Sequence, residues 1–246
     1  MSPSFDLGPP SAWEQLFHNA PLSQYINHPS GRFRTAFGPV FYRGRLDGSA
    51  RLLIVGQDPS TDETLAQRIL VGEAGQRLQG LLHKLGVNSS YLMLNTFLYG
   101  VFGQFDGALR AISGEPTIQH YRNQLFNHAQ ATSPLVAVLT LGNAARDAID
   151  HWPGGRGLPV FSLRHPSARA DVLPNWNSQL LALAAQVGPD LGQATDLTPY
   201  GASFTVGDVA SIPAVDLPFG LPSWHGSGGT RSTRQRSKNS ILWVGP

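Results

Sequence analysis

Four short apolar runs constrain the fold of this chain more than any other feature. They are Arg51–Gly56, Tyr91–Asn95, Leu135–Leu141 and Leu158–Leu163, each bounded by Gly, Pro, Asn or Ser. Nearly continuous apolar runs of this length are typical of strands buried on both faces of a parallel sheet. Helical patterns lie between the runs, which favours right-handed βαβ units. We therefore expect an α/β fold, a three-layer α/β/α sandwich with a central, mainly parallel four-stranded sheet.

Further elements are predicted outside these four runs. Phe37–Arg43 suggests a small extended element, followed by a turn at Leu46-Asp47-Gly48. The segments predicted to be helical are Ala12–Phe17, Glu63–Leu85 with an interruption near Gly72 and Gly75, Ile118–Ala131, and Ala144–His151.

The composition changes after about Val187. Residues Gly188–Gly229 are rich in Gly, Pro and Ser and have no helical period, so we interpret them as an irregular arm that either wraps the domain or stays mobile. Ile241–Val244 is a candidate for a late strand. Gly226–Pro246 carries four basic side chains and no acidic one, which leaves 14 basic against 16 acidic side chains elsewhere. The tail is therefore the candidate for phosphate contacts, with a merely solubilising role as the alternative.

Several functional classes are excluded by residues that the chain lacks. It has no cysteine among its 246 residues, which excludes disulfides, thiolate zinc sites, iron–sulfur clusters and cysteine nucleophiles. It has no G-x-S-x-G elbow, P-loop or HExxH motif. Its longest clear apolar run is far too short to span a bilayer, and its first residues lack a signal core. We expect a soluble, cytoplasmic monomer that uses no metal or cofactor and does not contact membranes.

Three polar side chains follow three of the predicted strands. Asp58, Asn95 and His165 each stand at or just beyond a strand end, and the carboxyl ends of parallel strands meet at one edge of the sheet. Taken singly, Asp58 is explained as a turn former before Pro59, Asn95 as a turn amide and His165 as a core histidine. Together, and in this order, they favour a chemical site.

These three groups suit the hydrolysis of a base–sugar bond. An Asn amide offers a paired donor and acceptor that complement an imide edge such as that of uracil. A neutral His can donate to an oxygen that gains negative charge, and a lone carboxylate can orient water or stabilise a developing cation. Cleavage of a uracil N-glycosidic bond needs all three functions and requires neither metal nor protein nucleophile.

At these residues the chain resembles a known family. The sequences GQDPS (56–60), LMLN (92–95) and HPS (165–167) resemble the three signature motifs of the uracil-DNA glycosylase superfamily. The stretch VGEAGQ (71–76) is similar to the VGRAG segment of its iron–sulfur families. The resemblance covers roughly residues 50–185.

The resemblance implies a role for each matching residue. By position, Asp58 would activate water and His165 would stabilise charge on uracil O2. The Gln57 backbone would hold uracil O2, and Asn95 would read the O4/N3 edge. The implied partner is DNA that contains uracil, in single or double strands.

The chain departs from the family pattern around the base. Ser60 stands where the best-known family has a tyrosine that excludes the thymine methyl group, so thymine rejection must come from elsewhere. Leu70 falls where the iron–sulfur families have a phenylalanine that stacks on the base, with Phe97 or Phe102 as alternative stacking residues.

A second departure concerns the DNA strand. Arg169 replaces the leucine that wedges into the vacated base stack, and we group it with Arg164 and Ser167 as residues that contact DNA. A planar guanidinium can stack on bases while it bonds a phosphate. The alternatives for Arg169 are an ordinary surface arginine or one paired with Asp171.

The resulting interpretation is a monofunctional uracil-DNA glycosylase with a catalytic domain at 1–187 and an arm with a basic tail at 188–246. Lys84 lies in a predicted helix and Lys238 in the tail, so Schiff-base lyase chemistry is not expected. One alternative is a broader glycosylase for hypoxanthine, xanthine or mismatched thymine. The other is a non-catalytic nucleic-acid-binding module that keeps the pocket for recognising a base.

Overall fold

The computed structural model of the chain describes residues 4–220. The strands are β1 (Phe33–Arg34), β2 (Arg43–Gly44), β3 (Leu52–Gly56), β4 (Tyr91–Asn95), β5 (Gly100–Val101), β6 (Ala137–Leu141) and β7 (Val160–Leu163). The helices are α1 (Ser11–His18), α2 (Leu22–Ile26), α3 (Thr61–Ala66), α4 (Glu73–Lys84), α5 (Gly107–Ser113), α6 (Pro116–Thr132), α7 (Asn143–Asp150) and α8 (Val172–Val187). No helix in this range is long and apolar enough to cross a membrane.

The central sheet has the strand order β2-β4-β3-β6-β7. The four predicted strands are present and parallel, which confirms the α/β/α sandwich. The expected count of four was short by one, because β2 pairs antiparallel with β4 at one edge. β2 is only two residues long and begins with a buried arginine, so it has no apolar run that sequence analysis could detect.

Alternation along the parallel strands builds a core on each face of the sheet. Leu53 and Val55 face one core, with α1, α6 and α7. Leu52 and Ile54 face the other, with α4 and α8. Since every residue of β3 is buried, the strand reads as a continuous apolar run rather than an alternating one.

The helices differ from the predictions in three ways. The predicted Glu63–Leu85 segment is two helices, α3 and α4, which are separated at residues 67–72. Gly75 does not interrupt α4; it lies in the first turn, where a Cβ atom would stand 1.6 Å from the Leu70 carbonyl oxygen. The sequence analysis did not predict α2, α5 or α8. The Leu-rich pattern at 180–184 in α8 was a usable signal.

Residues 188–220 run along the body and bond to it at several points. The Asp190 carboxylate accepts hydrogen bonds from the backbone of Asn88, Ser89 and Ser90. The Phe204 ring packs against Trp176 of α8 at a centroid distance of 5.4 Å. The remainder of the predicted arm, the basic cluster Arg231–Lys238 and the candidate strand Ile241–Val244 lie outside the described residues.

A second polar anchor in this segment is Asp216, which is fully buried. Its carboxylate pairs with Arg45 and lies 3.6 Å from Nε of the buried Arg43. The Tyr91 hydroxyl donates to the same carboxylate at 2.5 Å. Asp216 therefore neutralises the buried guanidinium of β2 and ties the end of the described chain to the sheet edge.

We expect Asp216→Asn to lower the free energy of unfolding by about 3–5 kcal/mol, because removing one partner leaves a buried cation uncompensated. Urea denaturation at pH 7 measures the loss. Asp150→Asn is the matched control, since the Arg146–Asp150 pair is exposed and 3.9 Å apart and should lose less than about 1 kcal/mol. Equal losses in the two variants would contradict this account of Asp216.

Candidate active site

The parallel strands end together at one edge of the sheet. Gly56, at the end of β3, pairs in register with Asn95 at the end of β4. At the other side of β3, β6 and β7 end in register at Leu141 and Leu163. The loops that carry Asp58 and His165 therefore leave the same edge at which Asn95 lies, as the sequence analysis predicted.

Asn95 carries an unused hydrogen-bond donor. Its side chain is 5% exposed, and its Nδ2 atom is buried without a hydrogen-bond partner in the described structure. A Cβ atom on the neighbouring Gly56 would stand 2.5 Å from Asn95 Oδ1, so only glycine leaves room for this amide. Because buried donors without partners are rare and costly, this one indicates a group that donates a hydrogen bond to an acceptor on a ligand.

Leu70 is held beside the same pair of strand ends. Its Cδ1 atom lies 3.9 Å from the Cβ position of Gly56, and its backbone is left-handed, with φ of 53°. Arg43 donates to the Leu70 carbonyl at 2.8 Å. A left-handed backbone conformation is unfavourable for leucine. The hydrogen bond from the buried Arg43 and the close approach of Gly75 hold Leu70 in this conformation.

Asp58 is a half-buried carboxylate held by two neutral donors. The backbone N–H of Val101 donates to Oδ2 and the Gln57 side chain donates to Oδ1, both at 2.8 Å. Burial raises the pKa of Asp58 to about 6, against the smaller lowering effect of these two hydrogen bonds. The carboxylate is thus more basic than usual and still ionised at neutral pH.

Glu63 fixes the loop that follows Asp58. It forms a capping box with Ser60, whose backbone N–H donates to Oε2 at 3.1 Å and whose hydroxyl also donates to Oε2. Oε1 accepts from the backbone of Val71 at 3.2 Å and of Gly72 at 3.3 Å. The sequence analysis missed Glu63, although the S-x-x-E spacing before a helix is a recognisable signal.

His165 has one ring nitrogen occupied by its own loop. The Ser167 backbone N–H donates to Nδ1 at 3.2 Å, which leaves the proton of a neutral ring on Nε2. The His165 Cβ atom lies 3.4 Å from the Cβ position of Gly142, just after β6. Burial, and then the nearby Arg77 guanidinium, lower the pKa of His165. The imidazole is therefore a neutral donor at pH 7.

Arg77 of α4 anchors the His165 loop. It donates to the Pro166 carbonyl at 2.8 Å and pairs with Glu73 one turn earlier. The Phe204 ring covers its guanidinium at 4.7 Å from the ring centroid. The sequence analysis missed Arg77, because its partners Pro166 and Phe204 are 89 and 127 residues away along the chain.

The residues assigned to DNA lie on the exposed part of this loop. α8 holds the Arg164 backbone: Asn175 accepts from its N–H at 2.7 Å, and Trp176 donates to its carbonyl at 2.9 Å. Ser167 and Arg169 are exposed. Asp171 lies 3.7 Å from Arg164, and no ion pair or hydrogen bond of the Arg169 side chain occurs within residues 4–220. The alternative in which Arg169 pairs with Asp171 is therefore wrong.

The two alternative stacking residues lie in different environments. Phe97 is fully buried and packs against Phe33 at a centroid distance of 5.7 Å. Phe102 is 49% exposed, and the Arg34 guanidinium lies 4.8 Å from its ring centroid. The Leu70 side chain lies beside Gly56 at the end of β3, and Phe97 follows the end of β4 by two residues. No group of His, Asp and Glu that could hold a metal occurs among the described residues.

Comparison with known families agrees with this geometry. A family model described as the uracil DNA glycosylase superfamily matches residues 43–184. The chain belongs to this superfamily. No match was found among curated proteins. The matched span holds all three motif segments and includes Asp58, Asn95 and His165. Membership supports a DNA glycosylase that binds DNA as its substrate.

We expect Arg77→Gln to raise the pKa of His165, because the substitution removes the cation that disfavours a second charge beside it. An NMR titration of the His165 ring measures the shift directly. Arg164→Gln is the matched control on the same loop, since Arg164 pairs with Asp171 and does not contribute to the lowering. An unchanged or lower pKa in Arg77→Gln would refute this assignment.

Proposed function

We propose that the protein is a monofunctional uracil-DNA glycosylase that hydrolyses the N-glycosidic bond and leaves an abasic site. The observation that carries the proposal is the buried, unpartnered amide donor of Asn95. Uracil presents O4 as an acceptor and N3–H as a donor, which match Nδ2 and Oδ1 of the amide. Cytosine presents a donor and an acceptor in the reverse order, so the amide in this orientation does not match it.

Asp58 and His165 would divide the charge that develops during the reaction. As the bond from C1′ to N1 breaks, its electron pair moves onto the base and the sugar becomes cationic. The Asp58 carboxylate would orient water towards C1′ and accept its proton as the new C–O bond forms. Nε2–H of His165 would donate a hydrogen bond to the uracil O2 that gains negative charge, as a donor already held in place before the charge develops.

The DNA-facing roles rest on the exposed loop after β7. Arg164, Ser167 and Arg169 are exposed next to His165, and the Arg169 guanidinium is free to contact DNA. We propose that this loop contacts the strand that carries the base and that Arg169 braces the stack when a base leaves it.

A broader substrate range is the second candidate, because Ser60 is small and exposed. Its hydroxyl is already bonded to Glu63, so it does not reach out to close the pocket as a large ring would. The lactam edge of hypoxanthine also presents an acceptor beside a donor, in the order that the Asn95 amide can read. Single-stranded oligonucleotides that carry uracil, hypoxanthine or thymine, followed by alkaline cleavage of abasic sites, separate the two candidates. They also test the non-catalytic alternative, which predicts no cleavage.

We expect Asp58→Asn to lower uracil release by about 10²–10⁴-fold, the usual contribution of a positioned base, with little change in DNA affinity. Single-turnover kinetics and fluorescence anisotropy measure the two quantities. The variant should unfold at an equal or higher temperature at pH 7. Burial raises the pKa of Asp58 in the folded protein, so at this pH its ionised carboxylate lowers the free energy of unfolding, and Asn carries no such charge. Near-normal turnover in Asp58→Asn would remove Asp58 from the mechanism.

The raised pKa of Asp58 predicts the acid limb of the pH profile. The carboxylate must be ionised to accept a proton, so kcat/KM should fall about tenfold per pH unit below about 6 and level off above it. The profile of uracil release between pH 4.5 and 8 checks this. An acid limb near the ordinary aspartate value would show that burial does not tune this group.

A further inference from the structure

A cleft of about 410 Å³ opens beside the loop that follows Asp58. It is lined by Pro59, Ser60 and Thr61 and by residues 33–37. Gly100 and Phe102 also line it, and Val101 between them donates to Asp58 at 2.8 Å. The cleft is therefore built onto the catalytic loop rather than being a separate surface feature. Its volume lies in the range that holds one small ligand.

Two exposed aromatic rings and one arginine dominate this cleft. Phe37 is 56% exposed and Phe102 is 49% exposed, and large exposed rings grouped at a cleft mark a binding surface. The exposed Arg34 lies over Phe102, with 4.8 Å from the guanidinium carbon to the ring centroid. Arg34 makes no ion pair within residues 4–220, and no acidic side chain lines the cleft.

The two rings are not equivalent. One face of Phe102 is covered by Arg34, which holds the guanidinium in place over the ring. Phe37 has no ring or cation stacked on it among the described residues, so its face is available. The cleft thus combines a free aromatic face, a positioned cation and the hydroxyls of Thr35 and Thr61. An aromatic stacking surface beside a cation is the combination that binds single-stranded nucleic acid.

We propose that this cleft binds the nucleotide that adjoins the target base on the same DNA strand, with its base stacked on Phe37 and its phosphate on Arg34. The inference rests on the proposed function, since continuity with the Asp58 loop makes the neighbouring nucleotide the occupant. A base stacked here holds the strand beside the catalytic carboxylate without reading its sequence, because every base has a flat face.

The test is a double-mutant cycle that combines removal of the Phe37 ring with removal of the base that it is proposed to hold. Short single-stranded oligonucleotides carry uracil with a normal neighbour, or with an abasic nucleotide at the 5′ or the 3′ side. In the wild-type protein, loss of the base at one of these sides should weaken binding about tenfold, within the range for one base–aromatic stack. Phe37→Ala should weaken binding of the normal oligonucleotide about tenfold and add nothing on that abasic oligonucleotide.

Two further variants sharpen the test. Phe219→Ala is the matched control and should leave affinity unchanged. Phe219 is 55% exposed, but it packs on Phe5 and does not line this cleft. Arg34→Gln should reduce the slope of log K against log salt by about 0.7, the value for one phosphate contact on a single strand. Fluorescence anisotropy supplies all of these affinities.

The outcomes separate this inference from the proposed function. If Phe37→Ala binds as the wild type does, the cleft does not hold the neighbouring base. The same holds if the losses of affinity caused by Phe37→Ala and by the abasic neighbour add fully. If no oligonucleotide loses its uracil, the proposed function fails, while the binding cycle still decides the role of the cleft.

Discussion

The parallel register between β3 and β4 places Gly56 directly beside Asn95. A side chain at Gly56 would collide with the amide oxygen of Asn95, and a slip of one residue would turn the amide to the opposite face of the sheet. The same register sets where the chain leaves β3, and hence where Asp58 lies. Both buried faces of the sheet resist such a slip, so the core fixes the positions of the Asn95 amide and the Asp58 carboxylate together.

Burial shifts the pKa values of the two ionisable groups of the site in opposite directions. It raises the pKa of Asp58 and lowers the pKa of His165, because a low-dielectric environment disfavours each charged form. At neutral pH the carboxylate remains ionised and the imidazole remains neutral. The site thus has an ionised carboxylate and a neutral hydrogen-bond donor at the same time. Groups with ordinary pKa values would also allow this, but the carboxylate would then be a weaker base.

The parts of the structure that could be predicted from sequence are those with local signals. The four apolar runs, their parallel direction and the strand-end positions of Asp58, Asn95 and His165 all follow from short stretches of chain. The place of β2 in the sheet could not be predicted. The expected extended element Phe37–Arg43 overlaps β2 only at Arg43, and a two-residue strand that begins with a buried arginine has no pattern. Arg77 and Asp216 could not be found either, because their partners are far away in sequence and become neighbours only after folding. The Val101 backbone donor to Asp58 has no side-chain signature at all.

The contacts made by residues 188–220 have a consequence for the order in which the protein assembles during synthesis. A growing chain leaves the ribosome from its N-terminus, so Arg43 and Arg77 emerge long before Asp216 and Phe204. Until those two residues arrive, the buried guanidinium that holds the Leu70 turn lacks its carboxylate, and the arginine that holds the His165 loop lacks its aromatic cover. The contacts that support the Leu70 turn and the His165 loop are thus complete only after Asp216 has emerged.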